Sequence, residues 1–203
     1  MNKLPDPRLQ QKKPLSDAGR WRLWVDGCGG FLLLTGNSWS LGGIASASRS
    51  DREITVDIRV QADWPRNAGT ISRQDEHYVW TQSQAENEEK PTLIESGKVI
   101  PAAGSAKLVL HQPNPLSPTA VLVLEPPHRF ADHVDGVLLA DQTILIGPSA
   151  DCHARGSMLT GKVLLVRREE GWFAKAVGEQ EFVGLSIGER MELAEVGITL
   201  ENA

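Results

Sequence analysis

Apolar and polar residues alternate with a period of two over much of the chain. Ile54, Val56, Ile58 and Val60 alternate with Thr55, Asp57, Arg59 and Gln61. That spacing sends one set of side chains to a core and the other to water along a β-strand. Lys162-Val163-Leu164-Leu165-Val166-Arg167 is an apolar run of strand length and predicts a strand inside packed sheets. Thr119-Ala120-Val121-Leu122-Val123-Leu124 predicts another. Gln74-Asp75-Glu76-His77 and Glu169-Glu170-Gly171 are short, polar and flanked by strand-like runs, so they predict hairpin turns. Glu189 to Val196 is the best helical stretch and holds one marginal turn pair. The pattern therefore predicts an all-β protein whose structure begins near Trp21.

The pattern also occurs twice. Val25-Asp26-Gly27 precedes an apolar run and a stretch ending Leu41-Gly42; Val134-Asp135-Gly136 precedes another run and a stretch ending Ile146-Gly147. Ile71 to Val79 aligns without gaps on Leu165 to Phe173. Leu93, Gly97 and Leu108-Val109-Leu110 match Leu185, Gly188 and Ile198-Thr199-Leu200. Residues 81–90 are a polar excursion that lengthens the first copy, and His111 to Pro118 is a proline-punctuated bend. Glu125-Pro126-Pro127 marks the boundary, and its two prolines predict a stiff, extended joint. The organisation predicted is a leader over 1–19, one β unit over 20–125 and a shorter one over 126–203. Roughly 78 residues is little for an independent core, so the second unit is either trimmed or leans on the first.

Composition narrows the partners. The net charge is −5: residues 1–20 carry five basic and two acidic groups, 21–125 carry nine and twelve, and 126–203 carry seven and twelve. An acidic body repels nucleic-acid phosphate, which argues against DNA or RNA. No apolar stretch approaches the length that spans a bilayer, and no signal-peptide pattern opens the chain, so no membrane partner is expected and the cytoplasm is the expected location. For Cys28 and Cys152 two free thiols are the expectation, and the sequence leaves a bridge between the two units open.

The chain resembles the forkhead-associated (FHA) domains and, more closely, tandem FHA-like proteins of Planctomycetes. The residues that carry the likeness are Leu41-Gly42, where the family has Gly-Arg; Trp64-Pro65-Arg66-Asn67-Ala68-Gly69-Thr70-Ile71, where it has Ser-x-x-His leading into a strand; the Leu93, Gly97, Leu108-Val109-Leu110 closure; and Gln112 to Ser117 as the connector. The resemblance covers residues 21–203. It implies two tandem β-sandwiches, the second smaller, whose loops at one end bind phosphothreonine peptides. A dianionic phosphate needs a guanidinium, a hydroxyl and backbone N–H groups from separate loops. Here the family's arginine falls on Gly43, and on Pro148 in the second copy; its phosphate-binding serine falls on Pro65 and its buttressing histidine on Ala68. Asn87, followed by Glu88 and Glu89, stands where an Asn-Gly loop would grip the peptide, and the second copy has no Ser-x-x-His between Gly147 and Val163.

The other constellations are weak. In a strand, Asp151-Cys152-His153 would point neighbours to opposite faces, and adding His128 and His133 gives no paired metal spacing. Gly36-Asn37-Ser38-Trp39-Ser40 lacks the final glycine of a nucleophile elbow. Gly27, Gly29 and Gly30 fit a tight hairpin better than a phosphate loop, since no lysine follows. No cofactor motif is present. Trp80 and Trp172 fall in core strands, whereas Trp64 beside Pro65 and Arg66 either anchors a protein partner or packs under its own loop. The sequence thus predicts a non-catalytic, phospho-independent interaction or scaffold module binding another protein through Trp64, Arg66, Asn67 and Asn87. The alternatives are weak phosphothreonine recognition through Arg66 and Asn87, and an enzyme of unrecognised type.

Overall fold

The computed structural model describes residues 19–44, 56–83, 90–102 and 104–203. The leader over 1–18, Ile54 and the centre of the 81–90 excursion, Asn87 included, lie outside them. Among the described residues the chain is all-β, without a helix. In chain order the strands are β1 Arg20–Val25, β2 Gly29–Thr35, β3 Ser38–Gly43, β4 Ile58–Gln61, β5 Gly69–Gln74, β6 His77–Gln82, β7 Thr92–Ile94, β8 Lys98–Val99, β9 Leu108–His111 and β10 Ala120–Leu124. They continue with β11 Arg129–Phe130, β12 Gly136–Ala140, β13 Thr143–Gly147, β14 Ala154–Arg155, β15 Val163–Arg168, β16 Gly171–Ala176, β17 Val183–Gly184, β18 Arg190–Leu193 and β19 Val196–Asn202.

These strands form three mixed sheets. The largest runs β18-β19-β1-β2-β12-β10-β9-β8, the second β11-β4-β3-β5-β6-β7 and the third β14-β13-β15-β16-β17. The largest sheet is the middle layer. Leu32 and Leu34 of β2 and Val137 and Leu139 of β12 face one core, which the second sheet closes with Trp39, Leu41, Ile58, Ile71, Tyr78 and Trp80. Phe31 and Leu33, with Leu138 and Ala140, face the other core, which the third sheet closes with Ile144, Ile146, Val163, Leu165 and Trp172. A strand buried on both faces needs apolar residues at successive positions, which is why β2 reads Phe-Leu-Leu-Leu and β12 Val-Leu-Leu-Ala. Each fully buried leucine contributes about 1.5–3 kcal/mol of transfer free energy.

The order of the middle sheet is symmetric about the parallel β2–β12 seam. Leu23 of β1 pairs with Phe31 on one side and Leu200 on the other, and all three enter the second core. Leu122 of β10 pairs with Val137 and Leu110, and all three enter the first core. The closing turns agree as well. The Gly97 N–H donates to the Leu110 carbonyl and the Gly188 N–H to the Leu200 carbonyl, each at 2.7 Å, and both glycines hold φ near +80°. One strand crosses over: β1, first in the chain, supplies Leu23 and Val25 to the second core. That core also takes Phe31, Leu33 and Val121 from before residue 126, so the predicted units 20–125 and 126–203 share the middle sheet.

Several expectations change. The two Val-Asp-Gly triplets occupy different places: Gly27 lies in the β1–β2 turn at φ +70°, whereas Gly136 opens β12. The register of the closing strands matches Ile94, not Leu93, with Leu185, because each faces the aromatic residue of the aligned hairpin: Ile94 pairs with Tyr78, and the Leu185 N–H donates to the Trp172 carbonyl. The helical candidate is β18 and the start of β19, joined by Ala194 and Glu195 at φ +49° and +62°. Pro126-Pro127 is a turn rather than an extended joint, closed by the His128 N–H on the Glu125 carbonyl at 3.3 Å. The two aligned hairpins form as predicted, with Asp75 in the left-handed region that aspartate tolerates and Gly171 at φ +136°.

Candidate functional site

The loop from Ala62 to Ala68 carries three of the predicted site residues and lies across the end of β3. The Gly43 N–H donates to the Pro65 carbonyl and the Ala68 N–H to the Leu41 carbonyl, both at 2.8 Å. The glycine pair allows this approach, since a Cβ on Gly43 would stand 3.0 Å from the Trp64 carbonyl carbon and 3.1 Å from its Cβ. An arginine at that position would have to displace the loop.

Trp64 is packed beneath the loop. It is 5% exposed and belongs to the first core, with Gly104 against its ring. Of the two readings of Trp64, packing under the loop is the one the structure shows and the surface anchor is not; a large apolar ring in a loop that folds back on a sheet gains more from burial than from water. Arg66 and Asn67 are half-buried, and the Asn67 Oδ1 is enclosed without a hydrogen-bond partner. The structure thus brings Trp64, Arg66 and Asn67 together on one closed loop.

Asp63 tightens this loop. Its Oδ1 accepts from the Ser105 hydroxyl at 2.6 Å and the Ser105 N–H at 2.7 Å, and these bonds hold its carboxyl below the ordinary carboxylate range. The Ser105 Oγ is also 3.1 Å from His128 Nε2. Since the hydroxyl proton goes to Asp63, the imidazole donates to the serine oxygen. A nucleophilic triad runs the other way, with the imidazole taking the hydroxyl proton.

The 148–162 connection is committed to the fold. Asp151 lies in a turn, not a strand, and binds Lys162 Nζ at 2.9 and 3.0 Å; a Ser149 hydroxyl first, and then the Lys162 contacts, bring its carboxyl down to about 2. His153 Nδ1 accepts from the Leu145 N–H at 2.9 Å, and burial lowers its pKa to about 4. Cys152 is buried beside Ser149, Cys28 is half-buried, and both thiols are free. Burial, with Asp135 and Cys152 nearby, pushes the Cys28 thiol up to about 11, far from a reactive thiolate. Among the described residues no group of three His, Cys, Asp or Glu is placed to hold a metal ion, and no helix is long and apolar enough to cross a membrane.

Two features escaped the sequence reading. The first is the outer face of β8, β9 and β10. Val99 pairs with Val109 and Val109 with Val123, so three valines stand in a row across neighbouring strands. Leu108, Leu110 and Leu122 turn into the first core, so the valines face the opposite way. Val99 is 47% and Val123 38% exposed, and Val109 is partly exposed. Two residues along β10 on the same face, Val121 is buried in the second core. The apolar face is therefore continuous with the part that the third sheet covers. The second feature is a cavity of about 350 Å³ beside the β10–β12 connection, walled in part by His128, Arg129, His133 and Asp135. Comparison with protein-family models, with curated proteins and with solved structures finds no match to this chain.

Proposed function

We propose that the protein is a non-catalytic interaction or scaffold module of the cytoplasm, built from two copies of an FHA-like β-sandwich, that docks another protein independently of phosphorylation. The observation that carries this reading is the row Val99, Val109 and Val123 on the open wing of the middle sheet. Contiguous exposed apolar surface of this kind marks interaction sites. The partner it fits presents an apolar β-sheet face. Val121, on the same side of β10, already lies beneath the third sheet, so a partner sheet on the valines would extend an existing sheet-on-sheet contact.

The symmetric sheet order and the matching Gly97 and Gly188 turns support a duplicated unit. Phospho-independence is supported by Gly43 and Pro65, which stand where a phosphate site needs a guanidinium and a hydroxyl, and by the loop closed over them.

The test is affinity capture by the full chain from lysate of its own organism, with and without phosphatase, beside a Val99→Lys, Val123→Lys variant. Partners that survive phosphatase and are lost with the variant support the reading. Partners lost on phosphatase treatment, or held equally by the variant, overturn it.

A further inference from the structure

The connection between β10 and β12 is longer than its counterpart. Residues 125–135 separate these strands, eleven positions, whereas only residues 26–28, three positions, separate β1 from β2 at the symmetric place. The extra length is anchored rather than loose. Arg129 and Phe130 pair with Gln61 and Val60 as a short edge strand, and Phe130 is buried in the first core. The nearly buried Asp132 carboxylate takes Arg20 at 2.8 Å and Arg59 at 3.4 Å. His133 is held at φ +56°, a conformation uncommon for a residue other than glycine and one that gathers at binding sites.

This anchored segment walls the 350 Å³ cavity. Arg129 and His133 bring their side-chain nitrogens to its wall, with His128 beside them, and Leu124 and Phe130 supply apolar surface. The His128 ring is steadied through Nε2 by Ser105. Neither the Arg129 nor the His133 side chain has a hydrogen-bond or ion-pair partner among the described residues. Among the described residues Asp135 is the one carboxylate in this wall, and its Oδ2 accepts from the Gly30 N–H at 2.8 Å. A guanidinium and the His133 imidazole beside a partly apolar hollow of this size suit a small ligand with a negatively charged oxygen group.

We propose that this cavity binds a small organic anion, a carboxylate or a phosphate ester, through Arg129 and His133 with His128 beside them. This site is separate from the valine face and stands or falls independently of the docking function.

The test is isothermal titration of the full chain with inorganic phosphate and, separately, with citrate, repeated on Arg129→Gln and His133→Asn. Asparagine tolerates the left-handed backbone at 133, so that variant keeps the fold, and thermal melting of each unliganded variant checks it. The expected result is saturable binding of at least one probe, weakened tenfold or more by each variant, with melting temperatures unchanged. Phosphate alone would identify a phosphate ester, citrate alone a carboxylate, and both a general small-anion site. No saturable heat with either probe, or equal affinity in both variants, overturns the proposal.

Discussion

The two outer wings of the middle sheet occupy symmetric places and have opposite surfaces. In one, Val99, Val109 and Val123 line up across β8, β9 and β10. In the other, the corresponding row across β18, β19 and β1 is Arg190, Thr199 and Trp24. Trp24 is 37% exposed, close to the 38% of Val123, so exposure does not separate them. Their neighbours do. The Trp24 indole N–H donates to Glu201 at 2.8 Å, and Arg190 binds Asp26 at 2.8 Å and Glu192 at 3.0 Å. The polar wing satisfies itself with its own charges, whereas the valine row has only apolar surface to offer and gains by being covered. Equal backbone positions thus carry unequal chemistry, and the docking surface proposed above is the valine wing.

The sharpest way to separate core from binding surface is Trp64→Ala. Its loss from the first core is expected to cost about 3–5 kcal/mol in denaturant unfolding. A loss below 1 kcal/mol would mean that the ring is not packed as described.

The third-sheet side carries a buried histidine whose titration bears on stability. His153 is buried neutral, with its pKa lowered to about 4 from 6.5. Between those values the unfolded chain binds the extra proton, so stability is full above pH 6.5 and declines as pH falls toward 4. The loss is about 3 kcal/mol at most, from 1.36 kcal/mol per pKa unit. His153→Gln, which keeps an acceptor for the Leu145 N–H, is expected to flatten unfolding free energy against pH over that window. An unchanged slope would assign the effect to other groups.

On the wings, Val99→Lys with Val123→Lys is expected to change stability by less than about 1 kcal/mol, since both positions face solvent, while abolishing partner capture. The smallest effect is Trp24→Phe, which removes one exposed hydrogen bond at about 0.5 kcal/mol and leaves capture intact. Loss of capture in Trp24→Phe would place the docking surface on the wrong wing.

Strand periods and turn chemistry made much of the fold legible. Ile58 and Val60 alternate with Arg59 and Gln61 as a half-buried strand must, and the two polar hairpins stand where the aligned segments put them. The middle layer was not legible, because a run such as Phe31-Leu32-Leu33-Leu34 signals burial on both faces without naming what covers either. Nor was the pairing of β1 with β19, which joins opposite ends of the chain, as Trp21 with Asn202, and has no local signature. Leu108-Val109-Leu110 shows the same limit at the proposed docking surface: all three residues are apolar, yet only the leucines are core. Of the site residues, Trp64 was assigned to a partner from its neighbours Pro65 and Arg66; its burial depends on Gly42, Gly43 and Gly104, which are distant in sequence. The His128 and His133 positions stood out only as loop histidines until the connection folded them around a cavity.

The most direct measurement of the central claim is hydrogen–deuterium exchange of the full chain, free and with its captured partner bound. The account predicts added protection in β8, β9 and β10 and none in β18, β19 or the 62–68 loop. Protection on the polar wing or the loop, with the valine wing unchanged, would contradict it.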